Sequence, residues 1–428
     1  MSAPSSVKGW CPGARRPMQS GDGLIVRIRP HGGSLPVASL GALADAALRF
    51  GSGQIDLTRR ANLQIRGVTQ DALDSLWDAL AALGLLDDSA EAEAIRNIAV
   101  NPLAGIDPAE IIDVRPIAQV LASQLAAHTD LQALPGKFAF VIDGGGLLPL
   151  TELAADVRLE ARREGADVFI AVGVATKSGV TWLAAAAPSE AADVAVQVAR
   201  AILKHGAAGR AHALSPQAVD AIGAELGLPK LLPAKLIEGL ERAQPRRGLL
   251  VLQDQRYAVG LGAAFGRIDG GTLATLAEAL TRLNVTNVRL SPWRALYAAV
   301  RSCADGEALL ATARALGLVV DDADPLVQID ACSGAGCCDA TSLPTREHAR
   351  LMAQLAARTG FAGTLHVSGC SKGCARSAPA DLVLVGGSDS YRVVCNGTVR
   401  DEPACAFTAS EIETKGIELL TKRRSAHA

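Results

Sequence analysis

The feature that most constrains this chain is a repeat of itself. Residues 22 to 58 can be laid without a gap on residues 255 to 291, an offset of 233. LADAALRF then faces LAEALTRL, QIDLT faces NVRLS, and the apolar rhythm of GLIVRI meets that of YAVGLG. Few identities survive, but a shared rhythm over this length marks a duplicated unit. Two such half-units can pair about a pseudo-twofold axis, leaving a cleft between the copies.

Each half-unit reads as strand, helix, strand, strand, helix. In the first, Leu24, Val26 and Ile28 alternate with Ile25, Arg27 and Arg29, which predicts a half-buried strand stopped by Pro30 and the Gly32–Gly33 turn. Leu40, Leu43, Ala47 and Phe50 recur at helical spacing between Pro36 and Phe50. GQIDLT and ANLQIRG predict two more strands, the last with Leu63 and Ile65 opposite Asn62, Gln64 and Arg66, and a helix is expected over about 70 to 84. If the first and third strands share a sheet, Arg27, Arg29, Asn62, Gln64 and Arg66 crowd one face, joined by Arg59 and Arg60 at the turn. Such a face is either solvated or built for anions; alternating amides and the bidentate fork of arginine point to carboxylates. The second copy has Gly260 and Gly262 where the first has Arg27 and Arg29, but keeps Arg289 and Arg294.

A larger segment follows each half-unit. Residues 90 to 205 carry KFAFVID, DVFIAVG and VTWLAAA as strands and a helix from about Pro188 to Lys204. Residues 326 to 400 carry VQID, the helix TREHARLMAQLAARTG, then TLHVSG, DLVLVGG and YRVVCNG. Laying the first on the second puts Asn101 near Cys332. Between them, residues 206 to 248 read as a helical connector ending in QPRRG. The expected domains are therefore 18–88 and 250–318 as half-units, 89–249 as the first large domain with its connector, and 319–428 as the second; the class is α+β.

The second large segment holds the chemistry. In ACSGAGCCDA and VSGCSKGCARSAP, Cys332 and Cys338 are separated by five residues, Cys370 and Cys374 by three, and the pairs by 31. Two loop-borne thiol pairs among small residues suit a [4Fe–4S] cubane; zinc, usually bound by C-x-x-C, and inert core thiols are the alternatives. The adjacent Cys337 leaves the register of the first pair open.

The cysteine arrangement resembles the siroheme-dependent nitrite and sulfite reductase superfamily. WCPGARRPM, GDGLIVRIRP, LTRRANLQIRG, RNIAVNPLAG and RLSPWRAL together resemble its precorrin-3B synthase branch, from Trp10 to about Gly386. The resemblance implies paired ferredoxin-like half-units and a cluster held by Cys332, Cys338, Cys370 and Cys374. It also implies a polycarboxylate tetrapyrrole bound by Arg27, Arg29, Arg59, Asn62, Gln64, Arg66, Arg96, Asn97 and Arg294. Where the reductases place two lysines one residue apart over the axial position, LPGKFAFVID has Lys137, the candidate catalytic residue, and Ala139. That departure favours a chain whose tetrapyrrole is the substrate. The implied activity is a dioxygen-dependent monooxygenase that hydroxylates precorrin-3A at C-20 and closes a γ-lactone from the ring A acetate, fed by an external donor, an NADH-linked reductase or ferredoxin. A mononuclear non-haem iron is implied as well; siroheme belongs only to the alternative, a nitrite or sulfite reductase.

No ligand triad for that iron is legible: His31, His128, His205, His212, His348, His366 and His427 are scattered. His366, on the strand leading to Cys370, reads as a buried core residue, and Cys11 as either packing or site-facing. A net charge of −2 leaves no field to recruit nucleic acid or membrane. Nine cysteines concentrated in tight pairs, without an apolar leader or membrane-length run, lead to the expectation of a reducing, cytoplasmic setting.

Overall fold

The computed structural model describes residues 11–206, 209–227 and 245–427, with side chains as far as 423. Trp10 and much of the expected helical connector lie outside the described residues.

The first half-unit runs β1 (Met18–Ser20), β2 (Gly23–Ile28), β3 (Ser34–Pro36), α1 (Val37–Phe50), β4 (Gln54–Leu57), β5 (Leu63–Val68) and α2 (Leu73–Ala82). The first large segment follows with α3 (Ala90–Ile95), β6 (Ile98–Val100), α4 (Arg115–Ala127), β7 (Phe140–Asp143), β8 (Val157–Glu164), β9 (Asp167–Thr176), β10 (Gly179–Ala186), α5 (Ala191–His205) and α6 (Pro216–Glu225). The second half-unit comprises β11 (Gly248–Val251), β12 (Tyr257–Gly262), β13 (Arg267–Asp269), α7 (Gly270–Arg282), β14 (Asn287–Leu290), β15 (Ala295–Val300) and α8 (Cys303–Ala315). The chain closes with β16 (Ile329–Ala331), α9 (Thr345–Thr359), β17 (Leu365–Ser368), β18 (Ala380–Gly386), β19 (Ser390–Gly397), β20 (Cys405–Thr408) and α10 (Ile412–His427).

The half-units interlock more closely than pairing requires. Their sheets run β1-β2-β5-β4-β13 and β11-β12-β15-β14-β3, so each lends one edge strand to the other. Leu35 of β3 pairs with Val288 of β14, and Ile268 of β13 with Ile55 of β4. The exchange gives each sheet an edge the other copy covers, removing an open ladder. Helices α1 and α7 pack together, and residues of both copies, Leu40, Leu43, Leu276 and Leu280 among them, share one core.

The large segments are also copies. Their sheets, β6-β7-β8-β9-β10 and β16-β17-β18-β19-β20, have two parallel pairings followed by two antiparallel ones. Each keeps its own core: α4 and α5 cover the first, and α9 the second with α10 packed on it. No helix among the described residues is long and apolar enough to cross a membrane.

Candidate functional site

The four predicted cluster cysteines come from two loops at the ends of parallel strands. Cys332 directly follows β16, and Cys370 and Cys374 follow β17. Burial pushes the Cys374 thiol up, and the neighbouring charges of Cys370, Cys332 and Cys338 push it further, so all four sulfurs lie in one electrostatic neighbourhood. Cys337 is turned elsewhere: its sulfur accepts from Arg267 Nη1 at 3.3 Å. Cys338, rather than Cys337, thus stands with the other three in the neighbourhood of Cys374.

Cys332 Sγ accepts the Gly369 N–H at 3.2 Å, a bond that stabilises a thiolate. Among the described residues, no set of three or more His, Cys, Asp or Glu converges tightly enough to hold a single metal ion. The β1–β2 hairpin presses on this loop: Ser20 Oγ donates to Cys337 O at 2.8 Å, and a Cβ at Gly21 would meet the Cys338 and Asp339 amides at 3.0 Å.

Beside the cluster loops lie two buried aspartates, each gripped by three arginines. Asp56 on β4 takes Arg267 through both oxygens, at 2.8 and 3.0 Å, with Arg66 at 3.4 Å and Arg346 at 3.5 Å. Asp330 on β16 takes Arg59, Arg376 at 3.1 Å and Arg294 at 3.4 Å. Burial alone would raise both carboxyls; the arginine bonds and charges outweigh it, so both stay below the usual carboxylate range. Adding Asp22, which holds Arg66 bidentately, leaves six guanidinium groups facing three carboxylates. The excess is positive, and it borders a cavity of about 290 Å³ lined by Arg59, Arg294, Arg376, Asp330, Phe265 and Trp293, together with Arg246 and Arg247. Arg246 stacks over Trp293 at 4.5 Å.

The other predicted residues divide. Arg29, Arg66 and Arg96, expected to hold the tetrapyrrole, are buried and engaged by protein acids. Arg29 pairs with Glu93 at 2.8 Å. Arg96 grips Asp87 with two bonds and donates to Arg29 O. Arg66 ties Asp22, Asp56 and Cys337 O, which makes it a strut of the cluster loop. A buried guanidinium left unpaired is too costly for a sheet to carry in a row, so the fold supplies acids from neighbouring segments.

Arg27 differs: its Nε is buried without a hydrogen-bond partner, and burial together with Arg29 lowers its pKa to about 10. Cys11 is its hydrogen-bonding neighbour, so the thiol faces the arginines and does not merely fill space. Gln64 lies in register between Arg27 and Asp56. Asn62 is buried at the start of β5. Asn97 spends its amide on Ala94, Gly136 and Phe138 carbonyls. Lys137 is exposed, with its backbone carbonyl accepting from Arg60, whereas Ala139 is buried and donates its N–H to Asp156 at 3.0 Å.

His366, read as a core residue, is 1% exposed and neither ring nitrogen has a partner. It sits in register beside Asp330, and burial lowers its pKa to about 4. Asp56, Asp330, Arg267, Arg346 and Arg376 were not singled out from the sequence. The signal was an acid inside an apolar strand, in QIDL and again in QIDA.

Two family descriptions match: the nitrite/sulfite reductase ferredoxin-like half domain over residues 16–83, and the nitrite and sulphite reductase 4Fe-4S domain over 91–225. The second match falls on the large segment without the cysteine quartet. Precorrin-3B synthase of Sinorhizobium sp is 33% identical over 424 residues, covering 94% of this chain and 86% of that protein. Ferredoxin–nitrite reductase of Synechococcus elongatus is 27% identical over 401 residues, covering 87% and 77%. Among solved structures, the NirA protein of Mycobacterium tuberculosis overlays with a TM-score of 0.70 at 20% identity, covering 91% of this chain and 79% of that one, which shows a shared fold.

Proposed function

Since this chain belongs to the precorrin-3B synthase family within the nitrite/sulfite reductase superfamily, we propose that it is a monooxygenase acting on a precorrin. In this reading precorrin-3A is hydroxylated at C-20 and its ring A acetate closes a γ-lactone onto C-1. One oxygen atom of dioxygen enters the product, and the other leaves as water with two electrons and two protons. The observation that carries the reading is the Asp330 cage: three guanidinium groups around one buried carboxylate, bordering a cavity beside the cysteine quartet.

Cys332, Cys338, Cys370 and Cys374 hold the [4Fe–4S] cluster, which when bound passes single electrons from an external donor, an NADH-linked reductase or a ferredoxin. Arg59, Arg294 and Arg376 receive substrate carboxylates at the cavity, each bidentate pair contributing roughly 1.5–3 kcal/mol. Arg27, with its unused donor, serves a further carboxylate. Arg29, Arg66 and Arg96 act by holding the sheet and cluster loop in place. Gln64 sits between Arg27 and Asp56 on the sheet, and Asn62 and Asn97 border a small cleft with Arg60.

The described residues offer no preformed triad that fits the mononuclear iron implied by the family. The alternative, a siroheme-dependent reductase, is less well supported, because Ala139 stands where a second lysine is needed and Lys137 points to solvent. All nine cysteines are free, which supports a reducing cytoplasmic setting.

The test is anaerobic purification followed by optical and electron paramagnetic resonance spectra, then turnover of precorrin-3A under ¹⁸O₂ with a reductant. A cluster spectrum and one labelled oxygen in a lactone product are expected. A tightly bound iron tetrapyrrole with a Soret band, or a product without label, would overturn the proposal.

A further inference from the structure

A second cavity lies in the first copy of the repeat, apart from the one bordered by the Asp330 cage, with Arg96 at its rim. About 650 Å³ opens between the turn at His31–Gly33 and helix α4, within the range of small-molecule pockets. The repeat shows what fills such a place. At the offset of 233, Gly32 falls on Phe265, and both have left-handed backbones, φ 58° and 55°. At an offset of 231, which aligns β6 with β16, Ala118, Gln119 and Ala122 of α4 fall on Ala349, Arg350 and Ala353 of α9. In the second copy the Phe265 ring is buried in the core with Ala349 and Ala353, beneath the Arg350 guanidinium at 5.6 Å. In the first copy Gly32 supplies no ring, and a Cβ there would meet nothing within 4 Å.

We propose that this cavity is a binding site for a small planar ring compound without negative charge, seated where Phe265 sits in the other copy. The ring class follows from the internal occupant and from the small side chains of the α4 wall. The lack of negative charge follows from the rim, where Arg96 and Arg115 stand among Asp87 and Asp88 and are already held by Asp87 and Asp113. An anion would be desolvated against Asp87 and Asp88 without gaining an unpaired arginine. The His31 ring, whose pKa burial lowers, offers a neutral hydrogen-bonding group at one end.

Isothermal titration of the cluster-loaded protein with 2-naphthol, with 2-naphthoate as the charged control, tests the site. One saturable 2-naphthol site is expected, with 2-naphthoate at least fivefold weaker. Gly32→Phe, whose backbone Phe265 shows to be tolerated, should weaken 2-naphthol at least tenfold with the cluster spectrum unchanged. Ala122→Phe fills the space from the helix side and serves if Gly32→Phe does not fold. Absence of saturable binding, undiminished binding to the filled variant, or tighter binding of 2-naphthoate would overturn the proposal.

Discussion

Asn101 and Cys332 occupy one position in the two large segments. Each follows the first strand of its sheet by one residue, and each accepts the backbone N–H that follows the next strand, Gly144 to Asn101 Oδ1 at 2.8 Å and Gly369 to Cys332 Sγ at 3.2 Å. One backbone frame therefore presents an amide in one copy and a thiol in the other. Asn101 also donates to Asp143 at 2.6 Å, closing with hydrogen bonds the position that the second copy gives to a thiol.

That frame separates Cys338 from its neighbour. Cys338→Ala should abolish the cluster, whereas Cys337→Ala should retain it, since the Cys337 sulfur is turned to Arg267. Iron and sulfide content with the reduced-state paramagnetic signal distinguishes the two; the reverse pattern would move the ligand to Cys337.

Arg66→Ala should damage the cluster loop. It leaves Asp22 without its bidentate partner and Cys337 O with Ser20 Oγ as its remaining donor, and breaking a buried pair of this kind costs about 3–5 kcal/mol. Thermal unfolding and iron occupancy should both fall. Intact stability with weakened tetrapyrrole binding would instead make Arg66 a substrate ligand.

Arg376→Ala should act differently from Arg66→Ala. Its partner Asp330 keeps Arg59 and Arg294, so the cage survives while one cavity guanidinium is lost. Affinity for a polycarboxylate tetrapyrrole should drop about tenfold or more, equivalent to about 1.4 kcal/mol, with the cluster spectrum unchanged. Equal affinity in a fluorescence-quenching titration would remove Arg376 from the site.

Two kinds of titrating group make stability fall on acidification. His366 has a folded pKa near 4 against about 6.5 unfolded, so below pH 6.5 the unfolded chain takes up a proton that the folded chain refuses. The resulting loss approaches about 3 kcal/mol by pH 4, at 1.36 kcal/mol per unit. Asp56 and Asp330, held below their unfolded values, add stability above about pH 4 that disappears as pH falls through their folded pKa. Denaturant unfolding of His366→Gln from pH 7 to 4.5 should show a shallower decline than the parent; parallel curves would mean that His366 protonates without penalty.

Much of the fold was legible because side-chain period is a local property. The alternation in LQIRGV and the stripe of α1 placed β5 and α1 within a residue or two, and the repeat exposed the paired copies. β8 was not singled out, although VRLEARRE alternates, because its polar face is charged and reads as surface. In the sheet that face is partly buried, with Arg158 and Glu160 paired at 3.1 Å.

For the site, spacing along the chain was enough to select four thiols, since ligand type and interval are covalent facts. It could not tell which arginines face ligand, because a guanidinium's freedom depends on acids that arrive from elsewhere. Glu93 lies 64 residues from Arg29, and Asp330 lies 271 from Arg59. By itself, then, the sequence determined the duplication, the strand faces and the cysteine quartet. Only the tertiary structure decided the exchange of β3 and β13, the inward turn of Arg29, Arg66 and Arg96, and the open place left by Gly32, because long-range packing sets charge pairing and empty volume.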